Sequence, residues 1–389
     1  MLERQMRSVL EEMARSFPVV TVTGPRQSGK TTLVKMVFPD KPYVSLEDLD
    51  VREFAHTDPR GFLNQYGQGA VIDEVQHVPG LLSYIQTLVD QSDKSGLFIL
   101  TGSNQFKYLQ CITQSLAGRT GILKLLPFAY DEIYFDRLKQ LNSILYTGFY
   151  PRIFDRNVRP GFFYAAYFET YIERDVRTLI RVKDLMQFQK FVRICAGRTG
   201  QLVNFSSIAN EIGVTYKTVK EWLSILEASY IIYFLRPYHR NYNKRILKSP
   251  KLYFIDVGLA AHLLGIEAPE QLTTHPLRGE LFETFVVSEF LKYRFNAGKT
   301  DNLYFFRDRT GSEVDLIVET GARPVPLEIK SAQTVSSAFF KGLNMFRNLE
   351  PQIPGAFLVM GTSVRQDRSA GLVRGFSQIS EIFEQLDGF

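Results

Sequence analysis

The chain has 389 residues, of which 45% are hydrophobic and 22% charged, and its formal net charge is +5 at pH 7. This length exceeds what one hydrophobic core usually supports, so we expect two or more domains, and the composition excludes a low-complexity or disordered chain. The charge permits nucleic-acid binding without requiring it, because 46 basic residues nearly balance 41 acidic ones.

Neither a membrane span nor a secretion signal is predicted. No apolar run approaches the ~18 to 20 residues that cross a bilayer, and the N-terminal segment mixes charges into a helical pattern. We therefore expect a cytoplasmic protein without a membrane partner. The two cysteines, Cys111 and Cys195, have no Cys or His neighbours in the sequence, so we predict buried thiols and no metal cluster or disulfide framework.

Residues 1–130 alternate strand-like runs with helical stretches, which predicts a parallel sheet covered by helices on both faces. An amphipathic helix over residues 2–16 is expected to precede the sheet. The predicted strands cover residues 19–24, 42–46, 70–75, 97–102 and 121–128.

The remaining chain divides into three further predicted units. Residues 131–200 are helical and rich in aromatic side chains, with one long helix over 159–180, and predict a lid or connector. Residues 201–266 place two helices around a turn and then two strands, the order of a winged helix-turn-helix. Residues 267–389 follow the order α-β-β-β-α-β, ending on the strand GAFLVMG, and predict a separate α/β domain.

A phosphate-binding loop is predicted at residues 24–31, because GPRQSGKT fits G-x-x-x-x-G-K-[ST] between an apolar strand and a helix. Gly24 and Gly29 permit the tight turn that aims backbone N–H groups at phosphates. Lys30 is expected to reach the β- and γ-phosphates of Mg-ATP, and Thr31 to bind the Mg²⁺ ion. The predicted nucleotide-binding residues are Gly24, Pro25, Arg26, Gln27, Ser28, Gly29, Lys30, Thr31 and Thr32.

Acidic and small polar residues follow two other predicted strands. Asp73 and Glu74 end the strand VIDE, at the edge of the sheet where α/β folds bind ligands. We expect Asp73 to hold the Mg²⁺ shell and Glu74 to polarise the attacking water. Ser103 and Asn104, after the strand LFILTG, are candidates to touch the γ-phosphate or orient the water, although a capped turn explains either one equally well.

Taken together, these motifs resemble an AAA+ ATPase of the bacterial and archaeal type, which joins a GPRQ-type P-loop to a nuclease-like C-terminal region. The resemblance spans nearly the whole chain. It implies an AAA+ core with five parallel strands, a helical lid and action as a homo-oligomer. The segments that carry it are GPRQSGKTTL, VIDEVQ, LTGSNQF, SLAGRTGILKLLPF, YIERDV, EVDLI and LEIKS.

Two arginines acquire roles from this resemblance alone. Arg119, in SLAGRTG, occupies the place of the arginine finger that stabilises charge on the γ-phosphate of a neighbouring subunit. The alternative is an arginine that caps the preceding helix. Arg152, in GFYPRIF, is a candidate for the lid arginine that senses nucleotide, although the surrounding pattern departs from the usual lid signature.

A second polar constellation lies in the C-terminal unit. Asp315 is on one predicted strand, and Glu328 and Lys330 share one face of the next. Glu283, on the preceding helix, is a further candidate ligand. The group resembles the PD-(D/E)xK nuclease superfamily, with Val314 in place of its proline, and carboxylates so arranged can bind Mg²⁺ while the lysine orients water. An inactive nuclease-like fold or a docking domain is an equal alternative.

The predicted helix-turn-helix presents Tyr216, Lys217 and Lys220 on one polar side, which suits contact with DNA or with a protein partner. The segment 239–251 would be the wing. Its basic residues, candidates for phosphate contacts, are Arg240, Lys244, Arg245, Lys248 and Lys251.

Three hypotheses follow for the whole chain. The leading one is a DNA-associated AAA+ ATPase that uses Mg-ATP turnover to reposition its C-terminal units. The second is an ATP-driven protein switch or remodeller whose C-terminal units are docking modules. The third is an ATP-gated, Mg²⁺-dependent nuclease.

Overall fold

The computed structural model describes residues 2–103, 115–134, 139–176, 184–238, 249–308, 311–321 and 323–388. Within these ranges, no helix combines the length and the apolar character needed to cross a bilayer.

A five-stranded parallel sheet forms the N-terminal part of the fold, in the order β2-β3-β4-β1-β5. Its strands are β1 (Val19–Gly24), β2 (Tyr43–Ser45), β3 (Ala70–Asp73), β4 (Phe98–Ser103) and β5 (Thr120–Lys124). The helices around it are α1 (Arg7–Ser16), α2 (Lys30–Val37), α3 (Leu49–Thr57), α4 (Pro59–Asn64) and α5 (Leu81–Val89). This confirms the predicted α/β class with five parallel strands.

Successive residues of the central strands pack into different hydrophobic clusters. Val19 and Ile72 belong to a cluster that includes residues of α3, α4 and α5. Val20 and Val71, their sequence neighbours, belong to a cluster that includes residues of α1 and α2. Because strand side chains alternate between faces and both faces of the sheet are covered, β1, β3 and β4 are buried at every position.

Three predicted boundaries in this part differ from the structure by two residues or more. Strand β3 ends at Asp73, whereas the sequence pattern extended it to Val75. Helix α1 begins at Arg7, so residues 2–6 precede the helix. Strand β5 ends at Lys124, whereas the sequence pattern extended it to Phe128. Pro127 lacks the N–H group that a sheet ladder requires, so a regular strand does not extend through it to Phe128.

A helical, aromatic region follows the sheet. It consists of α6 (Tyr130–Tyr134), α7 (Leu141–Thr147), α8 (Pro151–Asp155), α9 (Pro160–Tyr167), a π-helix (Phe168–Val176) and α10 (Leu185–Ala196). The predicted long helix over 159–180 is continuous over residues 160–176 but changes from an α-helix to a π-helix at Phe168, and residues 177–183 lie outside the described residues.

The middle unit contains α11 (Phe205–Ile212), α12 (Tyr216–Ala228) and the strands β6 (Gln201–Leu202), β7 (Ile232–Pro237) and β8 (Lys251–Phe254). Asn204 and Thr215 cap the two helices by accepting hydrogen bonds from the N–H groups of Ser207 at 3.0 Å and Thr218 at 3.1 Å. Between the helices, Gly213 adopts a φ of 81°, which suits glycine. The element order is the predicted one, and its assignment as a winged helix stays a prediction.

The middle unit ends with α13 (Val257–Leu263). The C-terminal unit begins with α14 (Arg278–Asn296), followed by β9 (Leu303–Arg307), β10 (Glu313–Thr320), β11 (Arg323–Lys330), α15 (Lys341–Leu349) and β12 (Phe357–Met360). The prediction that strand β12 completes the unit is wrong. A hairpin, β13 (Arg365–Arg368) and β14 (Gly371–Gly375), and helix α16 (Ile379–Asp387) follow it. The sequence of β13 is wholly polar, and β14 carries a buried arginine, Arg374, so neither matches the usual strand pattern.

One sheet crosses the predicted boundary at residues 266 and 267. Nine strands from both units form it, in the order β13-β14-β12-β11-β10-β9-β7-β8-β6. The junction is a parallel pairing in which Arg236 of β7 lies beside Tyr304 of β9. The middle and C-terminal units therefore share a backbone hydrogen-bond ladder, which their separate sequence patterns did not indicate.

Candidate functional site

The P-loop connects β1 to α2 and depends on two glycines. A Cβ atom added to Gly24 would lie 2.1 Å from the carbonyl oxygen of Leu125, so no larger residue fits there. Gly29 has a φ of 93°, and the non-glycine Gln27 has a φ of 62°. The loop thus combines left-handed backbone with a close approach to the segment after β5, as expected for a loop that surrounds phosphates.

Lys30 points into the loop. Its Nζ donates hydrogen bonds to the carbonyl oxygens of Gly24 at 3.1 Å and Pro25 at 2.8 Å, and the residue is 5% exposed. Burial lowers the pKa of Lys30 to about 8, although the nearby carboxylates of Glu74 and Asp73 favour its charged form. An ammonium held this way is placed to meet a triphosphate.

The structure brings Asp73 and Thr31 together, and their part in binding Mg²⁺ stays a prediction. Thr31 Oγ1 donates a hydrogen bond to Asp73 Oδ2 at 2.9 Å. Tyr43 donates to the same carboxylate oxygen at 2.7 Å, and the Thr101 hydroxyl donates to the other one. Adjacent hydroxyl and carboxylate oxygens are donors that fit the shell of a Mg²⁺ ion, which keeps several waters. Sequence reasoning missed Tyr43 and Thr101, whose contacts depend on the pairing of their strands.

Glu74 leaves the sheet immediately after Asp73, in a left-handed conformation with a φ of 55°. The side-chain amide of Gln76 donates to the Glu74 carboxylate and also to Ser103 Oγ at 3.1 Å. Gln76 therefore links Glu74 to the end of β4, a role that the sequence did not indicate. Ser103 is placed near the site by this link, and the other candidate of that strand, Asn104, lies outside the described residues.

These residues open onto a cleft of about 1080 Å³ between the sheet and the helical region. The core side of the cleft is lined by Arg26, Gln27, Gly29, Lys30, Thr31, Thr32, Glu47 and Glu74. The helical side is lined by Pro151, Arg152, Asp155, Arg156 and Val158. Arg152 thus faces the P-loop across the cleft, and its role as a nucleotide sensor stays a prediction.

Arg119 lies on the surface and is absent from the lining of this cleft. Its guanidinium donates to Asp90 Oδ2 at 3.0 Å and to the carbonyl oxygen of Ala117 at 3.1 Å. Asp90 is the C-terminal cap residue of α5, so the ion pair holds Arg119 against the end of that helix. The proposed action on a neighbouring subunit stays a prediction.

The C-terminal acids also converge. Lys330 Nζ lies 2.9 Å from Asp315 Oδ2 and 2.8 Å from Glu328 Oε1, while the N–H group of Ile329 donates to Asp315 Oδ2 at 2.8 Å. Among the described residues, the buried Glu328 Oε2 has no hydrogen-bond partner. Burial and the neighbouring Asp315 raise the pKa of Glu328 to about 8.

Glu283 lies beside this group but is engaged elsewhere. It accepts hydrogen bonds from Lys251 Nζ at 2.9 Å and from the Tyr253 hydroxyl. Lys251 is only 4% exposed and also pairs with Glu313, so its prediction as a phosphate contact of the wing is wrong. The other basic wing residues lie outside the described residues. Within the described part of the chain, no three His, Cys, Asp or Glu side chains are grouped to hold a metal ion.

Comparison with known families divides the chain into three matches. Residues 16–134 match an AAA domain, residues 138–270 match a domain of unknown function (DUF8612), and residues 278–376 match another (DUF4143). The first match confirms the AAA prediction for the P-loop part. The other two descriptions mention neither a winged helix nor a nuclease.

Three relatives of the chain are described as uncharacterized proteins. Rv2008c of Mycobacterium tuberculosis and Mb2031c of Mycobacterium bovis are each 30% identical over 338 residues, which are 86% of this chain and 75% of the relative. A protein of Haemophilus influenzae is 22% identical over 322 residues, covering 73% of this chain and 77% of that one.

One similar solved structure is the Walker-type ATPase PABY2304 of Pyrococcus abyssi. It is 14% identical with a TM-score of 0.38, and the match covers 68% of this chain and 96% of that one. AMPPCP-bound DnaA from Aquifex aeolicus is also 14% identical, with a TM-score of 0.31, covering 57% of this chain and 85% of that one.

The lowered pKa of Lys30 predicts a pH-dependent affinity for Mg-ATP. Free protein loses the Lys30 proton as the pH rises through about 8, whereas bound triphosphate favours the ammonium and raises its pKa. Affinity should therefore decrease above pH 8, approaching about tenfold per pH unit, with uptake of a proton on binding. Calorimetry at pH 7, 8 and 9 in buffers of different ionisation enthalpy measures both effects. Equal affinity at pH 7 and 9 would contradict the prediction.

Proposed function

Because the chain belongs to the family of the two uncharacterized mycobacterial proteins and carries an AAA domain at residues 16–134, we propose that it is an ATPase that binds Mg-ATP at the P-loop and hydrolyses it. The observation that supports this most is that Lys30, Thr31 and Glu74 line one cleft, with Asp73 hydrogen-bonded to Thr31. These residues come from the start of α2 and the end of β3.

Each of these residues has a distinct part in the proposed reaction. Backbone N–H groups of the P-loop and the Lys30 ammonium bind the phosphates and neutralise their charge. Thr31 and Asp73 would hold Mg²⁺, which supplies further stabilisation of negative charge when bound. Glu74 accepts the proton of the attacking water, and its bond to Gln76 sets the direction of the carboxylate.

Substitution of Glu74 separates binding from hydrolysis. Glu74→Gln removes the proton acceptor but keeps the shape of the side chain, so we expect kcat to decrease by at least about a hundredfold while the Kd for Mg-ATP changes less than about threefold. Phosphate release and calorimetry on the same preparation give both values.

The matched control is Glu53→Gln, an exposed glutamate of α3 outside the cleft, which should retain the wild-type rate. Hydrolysis by Glu74→Gln at the wild-type rate would remove Glu74 from the mechanism.

The proposal includes contact of the middle unit with DNA. Helix α12 buries Val219 and Leu223, whereas Tyr216 is 51% exposed and Lys217 and Lys220 are exposed beside it. An exposed aromatic ring among lysines suits a nucleic acid, since bases stack on rings and phosphates attract ammonium groups. In this proposal, ATP turnover changes the position of the middle and C-terminal units relative to the P-loop.

Loss of both lysines tests the DNA contact. Lys217→Ala/Lys220→Ala should weaken duplex binding and reduce the slope of log Kd against log salt by about one per lost phosphate contact. Fluorescence anisotropy over a salt series measures both quantities. Lys94→Ala/Lys299→Ala, which removes two exposed lysines elsewhere, should leave them unchanged.

A wild-type affinity for DNA that does not respond to salt would remove direct DNA binding. An ATPase rate that increases with a protein partner and ignores DNA would favour the protein-switch alternative.

A second candidate function, metal-dependent cleavage of nucleic acid, is favoured by one observation. Lys330 lies within hydrogen-bonding distance of both Asp315 and Glu328, and Glu328 Oε2 is buried without a partner among the described residues. Two carboxylates fit a Mg²⁺ ion that retains several waters, so Asp315 and Glu328 would hold it. Lys330 would orient water and stabilise charge on the phosphate.

Asp315→Ala and Lys330→Ala should each abolish Mg²⁺-dependent or Mn²⁺-dependent cleavage of DNA or RNA while leaving ATP turnover within about twofold, because this group is separate from the P-loop cleft. Gel assays and phosphate release on the same samples provide the comparison. Glu384→Ala, an exposed acid of α16, is the control for general effects. Wild-type protein that cleaves no substrate with either metal removes this candidate.

A further inference from the structure

Arg4 lies in the segment that precedes α1, and its guanidinium reaches the P-loop. Nη1 donates a hydrogen bond to the carbonyl oxygen of Ser28 at 2.8 Å, and Nη2 donates to the carbonyl oxygen of Leu126 at 2.8 Å. Nε donates to Glu132 Oε1 at 3.1 Å. The residue is 6% exposed, so a buried cation connects the P-loop, the segment after β5 and helix α6.

Glu132 completes this connection. Its carboxylate also accepts hydrogen bonds from the N–H groups of Gln5 at 2.7 Å and Ala129 at 2.8 Å. The Arg4 guanidinium lies 4.7 Å from the centre of the Phe128 ring. The ion pair with Glu132 and the hydrogen bonds of its three nitrogens hold the Arg4 side chain in one geometry. They also offset the free-energy cost of burying its charge.

The bond to Ser28 has a direct consequence for the P-loop. A trans peptide is planar, so its C=O and N–H groups point in opposite directions. The carbonyl of Ser28 and the N–H group of Gly29 belong to the same peptide. By holding the carbonyl toward itself, Arg4 holds the Gly29 N–H pointing away from itself, and Gly29 is one of the residues that line the cleft.

Only an arginine fits all three acceptors. Its planar fork presents several N–H groups in fixed directions, whereas a lysine offers one compact ammonium on a flexible chain. The three acceptors come from residues 28, 126 and 132, which are distant in sequence. The arrangement therefore requires the fork and the folded core together.

We propose that Arg4 is a positioning residue for nucleotide binding, which orients the Ser28–Gly29 peptide before the phosphates arrive and connects the P-loop to the start of the helical region through Glu132. This rests on the proposed ATPase function. Arg4 itself is absent from the residues that line the cleft. Its effect should therefore be on affinity and on the mobility of the P-loop, and not on the chemical step.

Three variants test the proposal. Arg4→Met keeps much of the apolar volume and removes all three hydrogen bonds. Arg4→Lys keeps the charge beside Glu132 but cannot serve all three acceptors. The matched control is Arg7→Met, since Arg7 of α1 pairs with the exposed Glu3 and Glu11 and reaches no P-loop atom.

We expect the Kd and the KM for Mg-ATP to increase by about tenfold or more in Arg4→Met and by less in Arg4→Lys, with kcat at saturating ATP within about threefold of wild type. Hydrogen exchange of nucleotide-free protein should be faster in the peptide that contains residues 24–32. Arg7→Met should match the wild type in all of these.

The outcomes distinguish the two proposals. If wild-type protein binds no Mg-ATP, the ATPase proposal fails. If wild-type protein binds Mg-ATP, and folded Arg4→Lys and Arg4→Met bind it equally well with unchanged exchange of the P-loop, the role of Arg4 is wrong. A decrease in kcat without a change in KM would also contradict it. Arg4→Lys, the milder change, keeps the test decisive if Arg4→Met does not fold.

Discussion

The nucleotide cleft depends on one buried ammonium group, that of Lys30. A charge with so little exposure is stable only with partners, and two carbonyl oxygens of the P-loop at 2.8 and 3.1 Å supply them. Burial lowers its pKa, and the carboxylates of Asp73 and Glu74 oppose that effect. The loop is thus folded around the cation, and the surrounding acids favour its charged form.

Several contacts connect this loop to the rest of the chain. Arg4 contacts it from the N-terminal side, and the hydroxyl of Thr23, immediately before the loop, lies 3.2 Å from the hydroxyl of Tyr230 in the middle unit. Asp256 accepts hydrogen bonds from the Tyr164 hydroxyl at 2.6 Å and from the N–H group of Phe149 at 2.8 Å, which joins the middle unit to the helical region. Short hydrogen-bonded connections therefore join the P-loop to the helical region and to the middle unit.

The middle and C-terminal units are bound more tightly to each other. They share the nine-stranded sheet, and Lys251 of β8 forms ion pairs with Glu283 of α14 and Glu313 of β10. Removing one partner of such a buried group would leave an uncompensated charge. We therefore expect these two units to move together if nucleotide changes their position relative to the P-loop. Glu283 and Glu313, which lie near Asp315, therefore stabilise this junction in addition to any part in the chemistry of the Asp315 group.

The sequence by itself determined what depends on short-range geometry. The spacing of Gly24, Gly29 and Lys30 defines a loop within eight residues, and the pairing of Glu328 with Lys330 follows from strand alternation. Only the tertiary structure decided which distant side chains complete each site. Arg4 meets acceptors more than one hundred residues away, at Leu126 and Glu132, Tyr43 reaches Asp73 through strand order, and Glu283 turns to Lys251. Such contacts leave no periodic pattern in a chain, because they are set by how whole elements pack and not by the rise and twist of one element.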